Sequence, residues 1–358
     1  MATLNERLQD ELTHRDVELE RYKRGVAVRV LNLLARLEEE LVRQMASLDP
    51  TQVQPRYRDA RTTRLLAEVA RLVDEYGAAL EQDVIPDMVQ LARDEGKFGV
   101  RVLDGLLPAG VALDTVAPSV ANLRAAAMTR PFQGRLLREW VRDHPPAVRF
   151  RLRNAIRQGV ADGATIDQMV RTVRGTAAQG YRDGIMEANR RGAEAMVRTA
   201  VQHTVSSARE ATYEANSDLI EGVRMVATLD SRTTLFCMQI DGRVFPIGKG
   251  PRSPFHVGCR TSSVPVVKSW AALGLDLEEA PEGTRASMDG QVADKQTYNT
   301  WLRGKSAAFQ DDVLGKTKGA LYRRGDLALD RFVDHSGRAY SIDELRRREP
   351  AAFEKAGV

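Results

Sequence analysis

Residues 222–267 read GVRMVATLDSRTTLFCMQIDGRVFPIGKGPRSPFHVGCRTSSVPVV, and the character of the chain changes where they begin. Val223, Met225 and Ala227 alternate with Arg224, Val226 and Thr228, the two-residue period of a short strand. Asp241-Gly242, Pro246, Gly248, Gly250-Pro251, Pro254 and Gly258 then crowd turn formers into 241–262, which excludes a long helix there. Val264-Pro265-Val266-Val267 fits an edge strand, the place in a sheet where proline is tolerated. The stretch therefore reads as a small, loop-rich α+β module over 221–268.

Upstream of Gly222 the patterning is helical throughout. Leu19, Tyr22, Val26, Val30, Leu33, Leu37, Leu41 and Met45 recur every three or four residues, predicting one long helix over 4–47 that Asp49-Pro50 stops. Its apolar stripe is narrow and its flanks are rich in Arg and Glu, as in a helix packed on another long helix, of this chain or of a partner. A second helix is predicted over 62–93, with Leu65, Val69, Leu72, Val73, Tyr76, Leu80 and Val84 on its apolar face and a kink at Pro86. Residues 94–114 read as irregular. Shorter helices are predicted near 116–128, 131–143 and 146–160. The spacing Thr165-Ile166-Asp167-Gln168 is that of a capping box and starts another helix. An alanine-rich helix is predicted over 181–219.

Downstream of the module, 271–296 reads as a mostly polar linker, followed by a helical tail centred on 309–314 and 342–348. The fold class is thus mainly α: a long-helix N-terminal region (1–60), a helical region (61–220), the module (221–268), then linker and helical tail (269–358). Neither an internal repeat nor a low-complexity segment occurs.

Composition bounds the function. Of 358 residues, 43% are apolar, enough for a real core, and the net charge of +4 makes the chain no polycation. The charge-dense start, Met1 to Glu20, has no apolar segment of a signal peptide, and no run reaches the roughly 18–20 apolar residues of a membrane span. A soluble protein made in the cytoplasm, without membrane contact, is expected. The arginines cluster at Arg135, Arg138, Arg142, Arg149, Arg151, Arg153 and Arg157. Arg149, Arg151 and Arg153 are candidate non-specific contacts to DNA phosphates, against the plainer reading of a solvated helix face. Phosphate-binding loops of the GxxxxGK[ST] or GxGxxG type are lacking.

The two cysteines are too few for a disulfide framework. Cys237, His256 and Cys259 are candidate metal ligands, since thiolate and imidazole suit zinc, with Asp241, Asp230 or water as a fourth. A Cys237–Cys259 disulfide, or two buried thiols beside a hydrogen-bonded histidine, are the alternatives. Asp230, Arg232 and Thr233 fit an Asx-type turn, with Arg232 or Arg260 paired to Asp230 or Asp241. A complete catalytic set cannot be assembled: no nucleophile elbow is visible, and a histidine three residues from Cys259 suits a nucleophile–base pair poorly. No enzymatic role is expected; a metal-dependent hydrolase or toxin-like enzyme using the Cys/His module is the alternative.

The central motif nevertheless resembles a known signature. Leu229-Asp230-Ser231-Arg232-Thr233, Cys237, Asp241-Gly242, Gly250-Pro251, Pro254-Phe255-His256 and Cys259-Arg260 follow the pattern of the Mu F-like phage head-morphogenesis family. Tyr298-x-x-Trp301-Leu302, Ala308-Phe309-Gln310, Val313-Leu314-Gly315 and Asp343-Glu344-Leu345 are also similar to that family, so the resemblance covers about 190–348. It implies a minor head protein of few copies, inside the head or at the portal vertex of the virion. The implied partners are the portal protein, capsid and scaffold proteins, and packaged DNA, and some members are associated with packaging or ejection. Many members carry additional cysteines where this chain has Thr234 and Thr261, so a four-cysteine site is excluded here.

Overall fold

The computed structural model describes residues 4–48, 55–106, 115–274, 276, 284–293, 295–334 and 336–358. The expected stop at Asp49-Pro50 and the stretch 107–114 lie outside them. The architecture is mainly α, as the sequence predicts. Helix α1 (Leu4–Ser47) packs on α2 (Pro55–Leu106) and on α6 (Ile185–Ala215), within this chain. The helices α3 (Val120–Thr129), α4 (Leu137–Ala161) and α5 (Ile166–Arg174) complete the helical part. Leu34, Leu41 and Met45 of α1 meet Leu65, Leu80 and Met88 of α2, and Leu152 and Ile156 of α4, in one core. Each fully buried side chain of this size contributes roughly 1.5–3 kcal/mol. None of the described helices is long and apolar enough to cross a membrane.

Two predicted breaks do not occur. Helix α2, which holds Pro86 inside it, runs past residue 93 to Leu106, through residues read as irregular. Glu95, Phe98 and Val102 keep the helical period on the buried face. Gly96 and Gly99 are contact points rather than breakers: a Cβ there would come within 2.6 Å of Leu123 on α3 and 3.1 Å of Thr212 on α6. Likewise α4 is one helix holding both Pro145 and Pro146, starting at Leu137 rather than 131. Residues 132–135 instead form a tight turn, with left-handed Gln133 and Gly134. The Thr165 capping box forms as predicted: the threonine hydroxyl accepts from the Gln168 N–H and the Gln168 side chain accepts from the Thr165 N–H.

Helix α6 is buried on nearly every side, which explains why its sequence carries so many small residues. Several of its polar side chains are taken up by neighbours, while the buried Thr204 and Ser207 hydroxyls have no hydrogen-bond partner among the described residues. Arg209 meets the fully buried Glu95 of α2 at 2.6 Å, and Arg15 of α1 holds the other oxygen of that carboxylate at 2.8 Å. His203 donates from Nε2 to the Ala127 carbonyl at 3.0 Å, and its Nδ1 has no partner among the described residues.

Beyond α6, β1 (Ile220–Val226), α7 (Leu235–Ile240), β2 (Val244–Phe245) and β3 (Ser262–Val267) make the module, with an antiparallel sheet of order β2-β1-β3. Pro265 sits on the edge strand β3, opposite Val223. The stretch read as a polar linker holds an antiparallel hairpin, β4 (Thr284–Ser287) and β5 (Gly290–Ala293), docked beside Leu229. The helices α8 (Tyr298–Arg303), α9 (Ala307–Leu314), α10 (Lys316–Arg323), α11 (Ile342–Arg348) and α12 (Pro350–Ala356) follow. They surround a second core of Tyr298, Trp301, Tyr322, Phe332 and Phe353, into which the module sends Leu229 and Met238.

Removing one member of a buried ion pair strands the other charge. Glu95→Ala is expected to destabilise the helical part by about 3–5 kcal/mol, read as a lowered urea midpoint, whereas joint replacement of Glu95 and Arg209 by Met costs far less. Equal losses in the two variants would contradict this account. Burial also pulls the His203 imidazole down to about 4. The folded chain then binds that proton less readily than the unfolded chain, so the associated stability is complete above about pH 6.5 and lost as pH falls toward 4. The wild-type urea midpoint is expected to fall more steeply over that window than that of His203→Gln; parallel slopes would remove His203 as the cause.

Candidate functional site

The chemistry-bearing residues of the module converge from two elements. Cys237 lies on α7, whose short run Leu235-Phe236-Cys237-Met238-Gln239-Ile240 turns Cys237, Met238 and Ile240 inward. His256 and Cys259 lie on the strap that leads into β3. The strap is tied down along its length. The Cys259 N–H donates to the His256 carbonyl at 3.1 Å, a turn that places Gly258 at φ +72°. The Gly258 N–H reaches the Thr199 hydroxyl of α6 at 3.1 Å. Gln202 of α6 donates to the Thr261 carbonyl at 3.0 Å, and the Ser253 hydroxyl donates to the same oxygen at 2.6 Å. Lys23 of α1 in turn donates to Gln202 at 3.0 Å. The Phe255 ring stands edge-on to Phe236 with centroids 5.0 Å apart, joining strap and α7.

These restraints gather the ligand atoms of Cys237, His256 and Cys259 within 4.8 Å of one another. The two sulfurs are 3.8 Å apart as free thiols, and the His256 Nε2 is 3.4 Å from the Cys237 Sγ. His256 Nδ1 donates to the Val257 carbonyl at 3.0 Å, which leaves Nε2 as the bare nitrogen facing the sulfurs. The bond from Cys237, reinforced by His256 and opposed by burial, holds the Cys259 thiol well below its ordinary range. The same bond and burial push Cys237 up, so the two sulfurs share protons as a pair. The Cys259 sulfur likewise raises His256.

The carboxylates do not join this cluster. Asp241, a candidate ligand from the sequence, is buried, and all its capacity is used elsewhere. One oxygen accepts from the Ala227 N–H at 2.6 Å and from Arg285 at 3.0 Å, the other from Arg285 at 2.9 Å and the Tyr298 N–H at 2.6 Å. Asp230 closes an Asx turn on the Arg232 N–H at 3.0 Å, accepts from the Thr233 hydroxyl at 3.1 Å, and takes both arms of Arg260 at 2.5 and 2.8 Å. Burial alone would raise Asp230; Arg260 outweighs it and holds the carboxyl below its usual range. Gly242, at φ +79°, donates to the Met225 carbonyl and so returns the chain to β1. A small cavity of about 20 Å³ opens beside the cluster, walled by Thr228, Thr233, Thr234, Thr261 and Arg260.

The arginine cluster is placed on α4 and the turn before it, and much of it faces acids. Arg138 and Arg142 pair with Glu81 at 3.2 and 3.0 Å, and Arg149 pairs with Asp74, both acids on α2. Arg151 bonds Asn189 of α6 at 2.9 Å, and half-buried Arg153 lines a groove beside the exposed Phe150.

Sequence reasoning missed Arg285, Thr199 and Gln202, and quoted Tyr298 only as a family-like residue. The Asp289-Gly290 dipeptide, a hairpin signal, was the available pointer to the strand that carries Arg285. The two helical residues had no signal, because their partners are backbone atoms of a distant loop. Asp241→Asn keeps the shape of the carboxylate and leaves Arg285 as an unpaired buried cation, with an expected cost of about 3–5 kcal/mol. Hydrogen exchange should quicken at 225–241 and 284–303 before it does in α1 and α2; unchanged protection there would show that the pair is dispensable.

A family model described as phage Mu protein F like protein matches residues 151–264, less than half of the 358-residue chain. The match begins inside α4, takes in all of α6 and the Cys/His strap, and ends in β3. The family-like residues quoted at 298–315 and 343–345 lie outside it. No curated protein and no solved structure matches this chain. Over residues 151–264 the chain is similar to the phage Mu protein F like family, which its central motif also resembles.

Proposed function

We propose that this protein is a phage minor head protein, an assembly factor that associates with the portal or the inner capsid during head morphogenesis and stays in the virion. The observation that carries the reading is the family match over 151–264, which includes the helix and the strap on which the module is organised. The distribution of polar groups supports a structural role. The module's two motif carboxylates, Asp230 and Asp241, are committed to Arg260 and Arg285, so neither is free to act as a general base beside the Cys/His cluster. The hydrolase alternative has no comparable support.

Co-expression with the cognate portal protein is the test. The full chain should co-purify with the portal and be recovered from assembled heads in few copies. Heads that assemble and fill normally without it, together with absence of portal binding, would overturn the proposal.

A further inference from the structure

Two edges of the Cys237–His256–Cys259 triangle have the lengths found on one face of a zinc tetrahedron, and the third, from Cys259 to His256, lies within 4.8 Å. With Zn–S near 2.3 Å and Zn–N near 2.0–2.1 Å, tetrahedral angles give S···S edges of about 3.8 Å and S···N edges of about 3.5 Å. The observed Sγ–Sγ distance is 3.8 Å and the Cys237 Sγ–His256 Nε2 distance is 3.4 Å. A disulfide would need the sulfurs at about 2.05 Å, a closure of the gap between α7 and the strap that nothing around them demands. The His256 Nδ1–H bond to the Val257 carbonyl is the outer bond that ligating histidines carry, and it aims the bare Nε2 at the sulfurs.

The fourth corner has no side chain suited to it. Asp241 is held by Arg285 and two backbone N–H groups, and Asp230 by Arg260. Beside Cys237 and His256 lies the threonine-walled cavity of about 20 Å³, enough for one water, which needs roughly 10–15 Å³ and hydroxyl partners. The geometry points to a Zn²⁺ site of Cys237 Sγ, His256 Nε2 and Cys259 Sγ, completed by a single water in that cavity. Two thiolates balance the ion's charge, and any thiol proton still present leaves to solvent on loading. The ion bridges α7 to the strap, adding to the Phe255–Phe236 ring contact between them and to the hydrogen bonds that tie the strap to α6. This inference stands on side-chain geometry alone and is independent of the assembly role.

The full chain, purified without chelator, is analysed for metal and then titrated with cobalt(II) after zinc removal. One zinc per chain is expected, with a cobalt adduct showing thiolate charge transfer and the intense visible bands of a tetrahedral ion. Cyanide should displace the water and shift those bands. His256→Ala should weaken zinc binding at least about tenfold, the lower end of what even an outer-shell loss costs. A metal-free chain in excess zinc, or unchanged affinity in His256→Ala, overturns the site. A tetrahedral cobalt spectrum that ignores cyanide overturns the water. The cobalt measurement uses the unaltered chain, so it decides for or against the site even where the variant misfolds.

Discussion

The Asp241 carboxylate is the constraint around which the module is built. A buried carboxylate is costly unless every lone pair is answered, and here four donors from three segments answer it. The Ala227 N–H fixes the exit of β1, Arg285 fixes the β4–β5 hairpin, and the Tyr298 N–H fixes the start of α8. Asp241 also ends α7, so the position of Cys237 one turn earlier follows from the same anchor. Tyr298 adds a second tie through its hydroxyl to the Asp230 carbonyl, at 2.6 Å. Loop-rich segments with little apolar surface cannot offset their ordering entropy by burial, and a charge network of this kind substitutes for a core.

Helix α6 does the corresponding work for the larger body. It is the shared wall of the helical part and the module, and its two kinds of polar residue divide accordingly. Arg209 answers Glu95, inside the helix packing. Thr199 and Gln202 answer the strap. Most polar groups on a helix surrounded by protein must meet a partner, so the paired polar residues of α6 record what it touches.

Much of this was legible in the sequence because it depends on local rules. The 3.6-residue period of α1 and the first part of α2, the capping box at Thr165, and the edge proline in β3 are each decided within a few residues. The misreadings share one cause, which is tertiary override. Residues 94–114 read as irregular, but Gly96 and Gly99 within them are sites of close approach to α3 and α6. Residues 131–143 and 146–160 read as two helices, but Val141, Val148 and Leu152, on both sides of Pro145 and Pro146, are held in the core. At the candidate site, the Cys/His grouping was visible from residue type and spacing. That Asp241 faces away from it was not, since its partner Arg285 sits in a stretch whose polarity reads as linker.

The placement of α1 also bears on how the chain is made. Lys23 bonds Gln202 across 179 positions, and Arg15 closes on Glu95, itself the partner of Arg209. During synthesis α1 and α2 emerge first, and the face they offer to α6 has nothing to cover it until that helix leaves the ribosome. At about 5–20 residues per second, this interval is on the order of ten seconds. Throughout it a nascent chain displays a long apolar seam edged with charge, open to a chaperone or to a neighbouring copy. The same contacts that bind the finished protein into one body therefore define its most vulnerable moment, and the Arg- and Glu-rich flanks of α1 limit what that seam can adhere to.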